Sequence, residues 1–262
     1  MAGGIELKTP DEIAFMREAA LITYEALEAM EKAVTPGISL EELDAIGERA
    51  TLARGGICAF KGLYGFPKNV CISVNEQVVH GIPAASQVLA DGDLISVDCG
   101  AILNGWHGDS AVTLAVGTVS DADLALSAAT RECMYAGIAV MRPGAKLTDI
   151  SFAIESKVHE IEEATGVEYG IVPDYGGHGI GTSMHMEPFL PNYGKPGRGP
   201  KLRTGMAIAV EPMLTTGTEQ TLELEDGWTV VTQDGGRAAH WEHSVAITDN
   251  GPWILTAPED AD

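Results

Sequence analysis

The stretch Leu94–Val116, LISVDCGAILNGWHGDSAVTLAV, reads as two apolar β-strands folded back on each other at Asn104-Gly105. Asn-Gly between two such runs marks a type I′ hairpin, because both residues tolerate positive φ. A turn there sets Asp98 opposite Ala111 and Asp109 opposite Gly100. Side chains alternate along a strand, so the two aspartates emerge on one face as diagonal neighbours, roughly 7–8 Å apart at the backbone. They could be solvated residues of an exposed face. The flanking Val97, Cys99, Ala111, Val112 and Leu114 argue instead for a strand pair covered on both sides. The hairpin contains no Lys or Arg, and carboxylates buried that way are protonated, paired or bound to a cation. If a cation is the answer, other parts of the chain must supply the remaining ligands.

The 262 residues, 45% of them hydrophobic, are ample for one large domain or two halves. With 16 basic against 38 acidic residues the net charge is −22, which disfavours binding to a phosphate backbone, so no DNA partner is expected. No run of 18 apolar residues occurs, and the opening MAGGIELKTPDEIAF has no basic-then-apolar leader. Neither a membrane span nor a secretory signal is therefore read, and the cytoplasm is the expected compartment. Cys58, Cys71, Cys99 and Cys133 form no C-x-x-C pair, which argues against a zinc ribbon or a disulfide frame.

Along the chain, Thr9-Pro10-Asp11-Glu12 opens a helical pattern reaching Ala33, with Ile13, Met16, Ala20, Tyr24 and Leu27 at helical spacing. Ser39 and Glu42 form a capping box for a second helix carrying Leu43, Ile46 and Ala50. The same unit returns later. A helix over Asp121–Met141 leads into Pro143-Gly144-Ala145-Lys146-Leu147-Thr148-Asp149-Ile150, which matches Pro36-Gly37-Ile38-Ser39-Leu40-Glu41-Glu42-Leu43 in its Pro, Gly, Leu, acid and aliphatic positions. Glu155 continues that register from Glu48. The repetition implies an α+β fold of two pseudo-symmetric halves, about 10–117 and 118–255, in a single domain over 1–262. Strands of both halves would share one sheet, with helices on one side of it.

Four acids lie in apolar, β-like runs: Asp98 and Asp109 in the hairpin, Glu211 in MAIAVEPM and Glu242 in HWEHSVAI. A pattern that recurs four times needs a common cause, and a metal cluster at the centre of the sheet is one. His178, inside GGHGIG, adds an imidazole. A dinucleotide-binding loop competes for that segment, but no helix-forming run follows, and Pro188 and Pro191 arrive within a few residues. Four carboxylates exceed what one divalent ion needs and suit two bridged ions, about 3.5–4 Å apart. Cys99 should face away from Asp98, which excludes a thiolate site.

Together the motifs NVCISVNEQVVHGIP, SVDCG, HGDSA, GGHGIG, MHMEP, VEPM and WEHSV, in this order, resemble those of the type I methionine aminopeptidases of the bacterial short form. The resemblance implies the pita-bread fold, a curved antiparallel β-sheet covered by two pairs of helices. It also implies a metallo-exopeptidase that removes the initiator methionine before a small second residue, using two divalent ions drawn from Fe2+, Mn2+, Co2+ or Zn2+. By resemblance, Asp98 would chelate one ion, His178 and Glu211 the other, and Asp109 and Glu242 would bridge. Catalysis would rest on His80, His185 and Glu211. The methionine pocket would be Phe60, Leu63, Phe66, Cys71, Met184 and Trp228, with Leu63, Phe66 and Met184 departing from residues common in relatives. An apolar, polarizable lining of this kind suits a thioether.

Nascent polypeptide N-termini are the implied substrates, and the family leans to a monomer. Transient ribosome contact would have to use Lys195, Arg198, Lys201 and Arg203, since Thr215–Trp228 has four acids and no Lys or Arg. Met1, followed by the small Ala2, is expected to be removed in active cells. Three rivals share features with this reading. An Xaa-Pro peptidase of the same fold would be expected to need a further N-terminal domain. A non-catalytic pita-bread module would be expected to have lost ligands, and a two-metal phosphoesterase would need an arginine clamp.

Overall fold

The computed structural model describes residues 4–258, so Met1 and Ala2 lie outside the described residues. Helix α1 (Pro10–Ala33) begins at a complete capping box, in which Thr9 Oγ1 accepts from the Glu12 N–H while the Glu12 carboxylate accepts from the Thr9 N–H. Pro10 sits at the first helical position, where its missing N–H costs nothing. Helix α2 (Leu40–Ala53) repeats the device with Ser39 and Glu42. Helix α3 (Asp121–Ala139) ends two residues short of the expected Met141, its last turn tightening so that the Met141 N–H donates to the Ile138 carbonyl at 3.0 Å. Helix α4 (Leu147–Thr165) retains half of the box, Asp149 accepting from the Lys146 N–H at 2.7 Å. Gly37 (φ 98°) and Gly144 (φ 94°) occupy the same left-handed position of the matching turns before α2 and α4.

The hairpin pairs Leu94–Leu103 with Trp106–Ala115, and Asn104 (φ 52°) and Gly105 (φ 84°) make the turn. Asp98 faces Ala111 and Gly100 faces Asp109, the register read from the Asn-Gly pair. Around this hairpin grows a nine-stranded antiparallel sheet, in which Trp106–Ala115 continues to Glu242–Thr248, Ala207–Val210, Gly176–Gly179 and Met186–Pro191. Cys71–Val74 adds along Leu94–Leu103, with Cys71 opposite Asp98.

One face of the sheet takes the helices. Ile95, Val97 and Cys99 pack with Leu27, Met30, Leu40 and Leu43 of α1 and α2. Ile208, Val210, Val245 and Ile247 pack with Leu126, Met134, Ile150 and Ile154 of α3 and α4. Helix α1 lies directly on the hairpin backbone: a Cβ on Gly108 would stand 2.4 Å from Ala20 Cα, and Thr23 Oγ1 donates to the Gly108 carbonyl at 3.0 Å. Asp98 and Asp109, alternating with these residues, point away from the helices. This is the expected α+β fold, a curled antiparallel sheet with two helix pairs on one side.

Glu211 and Glu242 differ from the expectation of continuous strands. The strand Ala207–Val210 stops before Glu211, and the chain resumes as Met213–Thr215 in a separate three-stranded sheet with Gly170–Ile171 and Ala238–His240. Pro212 has no N–H to give a ladder, which ends the first strand there. The return path breaks at Trp241 and re-enters the main sheet with Glu242 as its first residue. Both glutamates thus stand where the chain changes sheets.

Candidate metal centre

A cavity of about 600 Å³ opens on the face away from the helices. Asp98, Asp109, His178, Glu211 and Glu242 all line it, brought together from the hairpin, the Gly176–Gly179 strand and the two sheet changes. Four of them are held from behind. Ser244 Oγ donates to the Asp109 carbonyl and accepts from the Asp109 N–H. Ser110 Oγ donates to the Glu242 carbonyl, and Asn192 Nδ2 to the Glu211 carbonyl. The His178 ring can only donate from Nδ1 to the Gly179 carbonyl at 3.0 Å, which leaves the Nε2 lone pair facing the acids. His178 Nε2 is 3.4 Å from Glu211 Oε1 and 3.7 Å from Asp109 Oδ2.

Charge is the central problem of this site. Burial first, and then the neighbouring Asp109 carboxylate, pushes Asp98, Glu211 and Glu242 well above the usual carboxylate range. Asp98 Oδ1, Asp109 Oδ1 and Glu242 Oε1 are buried with no hydrogen-bond partner, and no Lys or Arg lines the cavity among the described residues. Native structures rarely leave such oxygens orphaned. Clustered carboxylates with unspent lone pairs and an imidazole form a donor set that fits divalent cations. Two groups of donors within 4.8 Å of one another, Asp109–His178–Glu242 and Glu211–His240–Glu242, overlap at Glu242.

Above the acids stand His80 and His185. His80 (φ 61°) ends the strand Gln77–Val79, with its ring edge-on to Tyr175 at 5.5 Å and to Trp228 at 6.4 Å. Holding a non-glycine residue left-handed costs of order 1–3 kcal/mol and persists only where the surroundings impose it. His185 packs edge-on to His178 at 4.5 Å and is stacked with Tyr64 at 5.8 Å. Burial lowers the pKa of His80 and takes that of His185 down to about 4, so both rings are neutral near pH 7.

Of the expected pocket residues, Phe60, Leu63, Phe66, Cys71 and Trp228 line the cavity wall, with Phe66 edge-on to Trp228 at 5.1 Å. Met184 lies one layer behind. It is buried in the same apolar cluster, where a Cβ on Gly100 would meet its methyl at 2.6 Å. Sequence reasoning did not single out Tyr64, Tyr175, Phe189 or His240, which also line the cavity. For His240 the signal was its spacing, two residues before Glu242, which puts both side chains on one side of an extended chain.

A buried cluster of carboxylates and imidazole at the centre of a curled, helix-backed sheet defines a pita-bread metallohydrolase. Residues 14–249 match the model of metallopeptidase family M24. Methionine aminopeptidase 1 of Mycobacterium tuberculosis is 53% identical over 249 residues, 95% of this chain and 94% of that one. The crystal structure of methionine aminopeptidase from Thermotoga maritima superposes with a TM-score of 0.93 at 40% identity, covering 97% of this chain and all of that one. A prolidase from Pyrococcus furiosus shares the fold alone, at 21% identity, a TM-score of 0.74 and coverage of 66% of its length. The chain belongs to metallopeptidase family M24, and within it stands with the methionine aminopeptidases.

Proposed function

We infer that this chain is a metallo-aminopeptidase that removes the N-terminal methionine from peptides and nascent polypeptides with a small second residue. The observation that carries the reading is the meeting of five donor side chains, three with orphaned buried oxygens, on the floor of a cavity with an apolar wall. Asp98 would hold one divalent ion, His178 and Glu211 a second, and Asp109 and Glu242 would be shared. The ions, drawn from Fe2+, Mn2+, Co2+ or Zn2+, supply Lewis acidity and a water that loses its proton near neutral pH.

The chain's own residues do the rest. Phe60, Leu63, Phe66, Cys71 and Trp228 take the methionine side chain, with Met184 supporting them from behind. This orients the first peptide bond over the acids. The Glu211 carboxylate, on the cavity floor, can accept a proton from the attacking water and deliver it to the departing amine. His80 and His185, both neutral, can donate hydrogen bonds to the peptide carbonyl as charge builds on its oxygen. The acid-lined floor selects a free α-amino group, which limits cleavage to the first residue.

We place the enzyme in the cytoplasm as a monomer; among the described residues no helix is long and apolar enough to cross a membrane. Any ribosome contact would use the exposed Lys195, Arg198, Lys201 and Arg203, so co-sedimentation should weaken with salt. The test is methionine release from Met-Ala and Met-Gly peptides with each metal in turn. Release of Xaa-Pro dipeptides without methionine would reverse the reading in favour of a prolidase. Binding of peptide with no turnover under any metal would favour the non-catalytic module.

A further inference from the structure

His240 has no part in the ligand set assigned above, yet it is among the most confined polar side chains of the cavity. It is 2% exposed, and its Nε2 is buried without a hydrogen-bond partner. That nitrogen stands 3.7 Å from Glu211 Oε2 and 4.0 Å from Glu242 Oε2. Glu211 lies between two imidazoles, its Oε1 toward His178 and its Oε2 toward His240.

We propose that His240 is a direct ligand of the ion held by Glu211, so that the metal centre carries two imidazoles rather than one. The proposal deepens the metallo-aminopeptidase reading and rests on it. Separations of 3.7 and 4.0 Å are too long for hydrogen bonds, so the ring is not there to tie down the carboxylates. Donor atoms bound to one cation at about 2.0–2.2 Å each stand roughly 3–4 Å apart, which is the spacing found. A neutral imidazole nitrogen with a free lone pair is the commonest protein ligand for such an ion.

The backbone of His240 is fixed as a ligand's should be. Its N–H donates to Thr113 Oγ1 at 2.9 Å and Ser96 Oγ at 3.2 Å, and its carbonyl accepts from Thr113 Oγ1 at 2.8 Å. Ser96 and Thr113 face each other on the hairpin that carries Asp98 and Asp109, and their hydroxyls are 2.9 Å apart. One rigid hairpin thus positions two carboxylates directly and this imidazole through a clamp. A second nitrogen moves the donor set away from all-oxygen character, toward metals that favour imidazole, such as Zn2+, over Mn2+.

The test uses the full chain labelled with 15N-histidine and loaded with Zn2+. Ring nitrogens bound to zinc have distinct shifts, and two of the seven histidines should show them, His178 and His240. His240→Gln should lose one of these signals, and calorimetry on the metal-free variant should show one of two zinc affinities reduced about 10–100-fold. The loss for Mn2+ should be smaller. A single zinc-bound histidine in the wild-type chain, or unchanged affinities in a folded His240→Gln, would overturn the assignment while leaving the metal centre standing. A wild-type chain that binds no divalent ion would overturn both.

Discussion

Glu211 has two neighbours of the same kind, one imidazole at each carboxylate oxygen, and a pKa displaced upward by burial and by Asp109 and Asp98. That displacement belongs to the metal-free protein; with cations bound, Glu211 is ionised and takes up a proton only in passing. Glu211→Gln keeps the shape and loses the proton. It should bind a Met-Ala peptide with little change in affinity while kcat falls by about 10²–10⁴-fold, read by peptide titration beside steady-state kinetics. Cys71 shows burial acting on a different group. It lies in the cavity wall opposite Asp98, and desolvation, followed by the nearby aspartates, holds its thiol well above 9. Cys58 and Cys99 are also raised, and Cys133 is pushed up to about 12, in each case first by burial. A raised thiol pKa lowers the reactive thiolate population at pH 8. A thiol titration at that pH should therefore find no fast-reacting cysteine in the folded protein and four after denaturation.

The packing of α1 on the hairpin depends on Gly108, where the helix backbone occupies the space of a side chain. Gly108→Ala must push α1 outward or bend the strand carrying Asp109. It should cost about 1–3 kcal/mol, the usual penalty of overpacking, and lower Tm by roughly 2–4 °C for each of these. Ser39→Ala removes a cap without touching the core and should cost about 1 kcal/mol with activity unchanged, so the pair of melting curves separates helix stability from helix position. Elements governed by local chemistry were legible in the sequence. Asn104-Gly105 set the hairpin register, and Thr9–Glu12 and Ser39–Glu42 marked two helix starts. The sheet changes were not legible as such. MAIAVEPM and HWEHSVAI look like continuous strands because apolar alternation does not say which sheet a residue joins. Pro212 was the one local warning, and the break at Trp241 had none. His240 carries only its two-residue spacing from Glu242 as a local signal, since its role depends on where the Ala238–His240 strand lies against Ser96 and Thr113.

At the scale of the whole molecule, the sheet concentrates negative charge that the chain does not neutralise. The five ligands were legible from motif resemblance and from acids set among apolar residues, but their convergence is a property of topology, which spacing alone does not carry. Convergence has a thermodynamic consequence. In the metal-free protein Asp98, Glu211 and Glu242 have raised pKa values, so above the ordinary carboxylate range these three groups hold protons in the folded state that they release on unfolding. Their contribution to stability falls as pH rises from the ordinary carboxylate range toward those raised values. Carboxylates with lowered values, such as Glu42, Asp149 and Asp234, have the opposite sign, but their contribution is complete above the ordinary range. Burial lowers His80, His107, His185, His240 and His243 as well, and these imidazoles also oppose the carboxylates until about pH 7, above which their contribution is complete. Metal reverses the slope, because cations replace the protons and bind better as the ligands ionise. At a hundredfold excess over Kd, an ion that binds only the folded chain adds about 2.7 kcal/mol. Calorimetric melting from about pH 7 to about pH 8.5, above the histidine range, with and without a chelator, should show the chelated protein losing Tm as pH rises while the loaded protein does not. A chelated protein whose Tm instead rose across that window would mean that the carboxylates share the cavity without mutual cost and call for no cation.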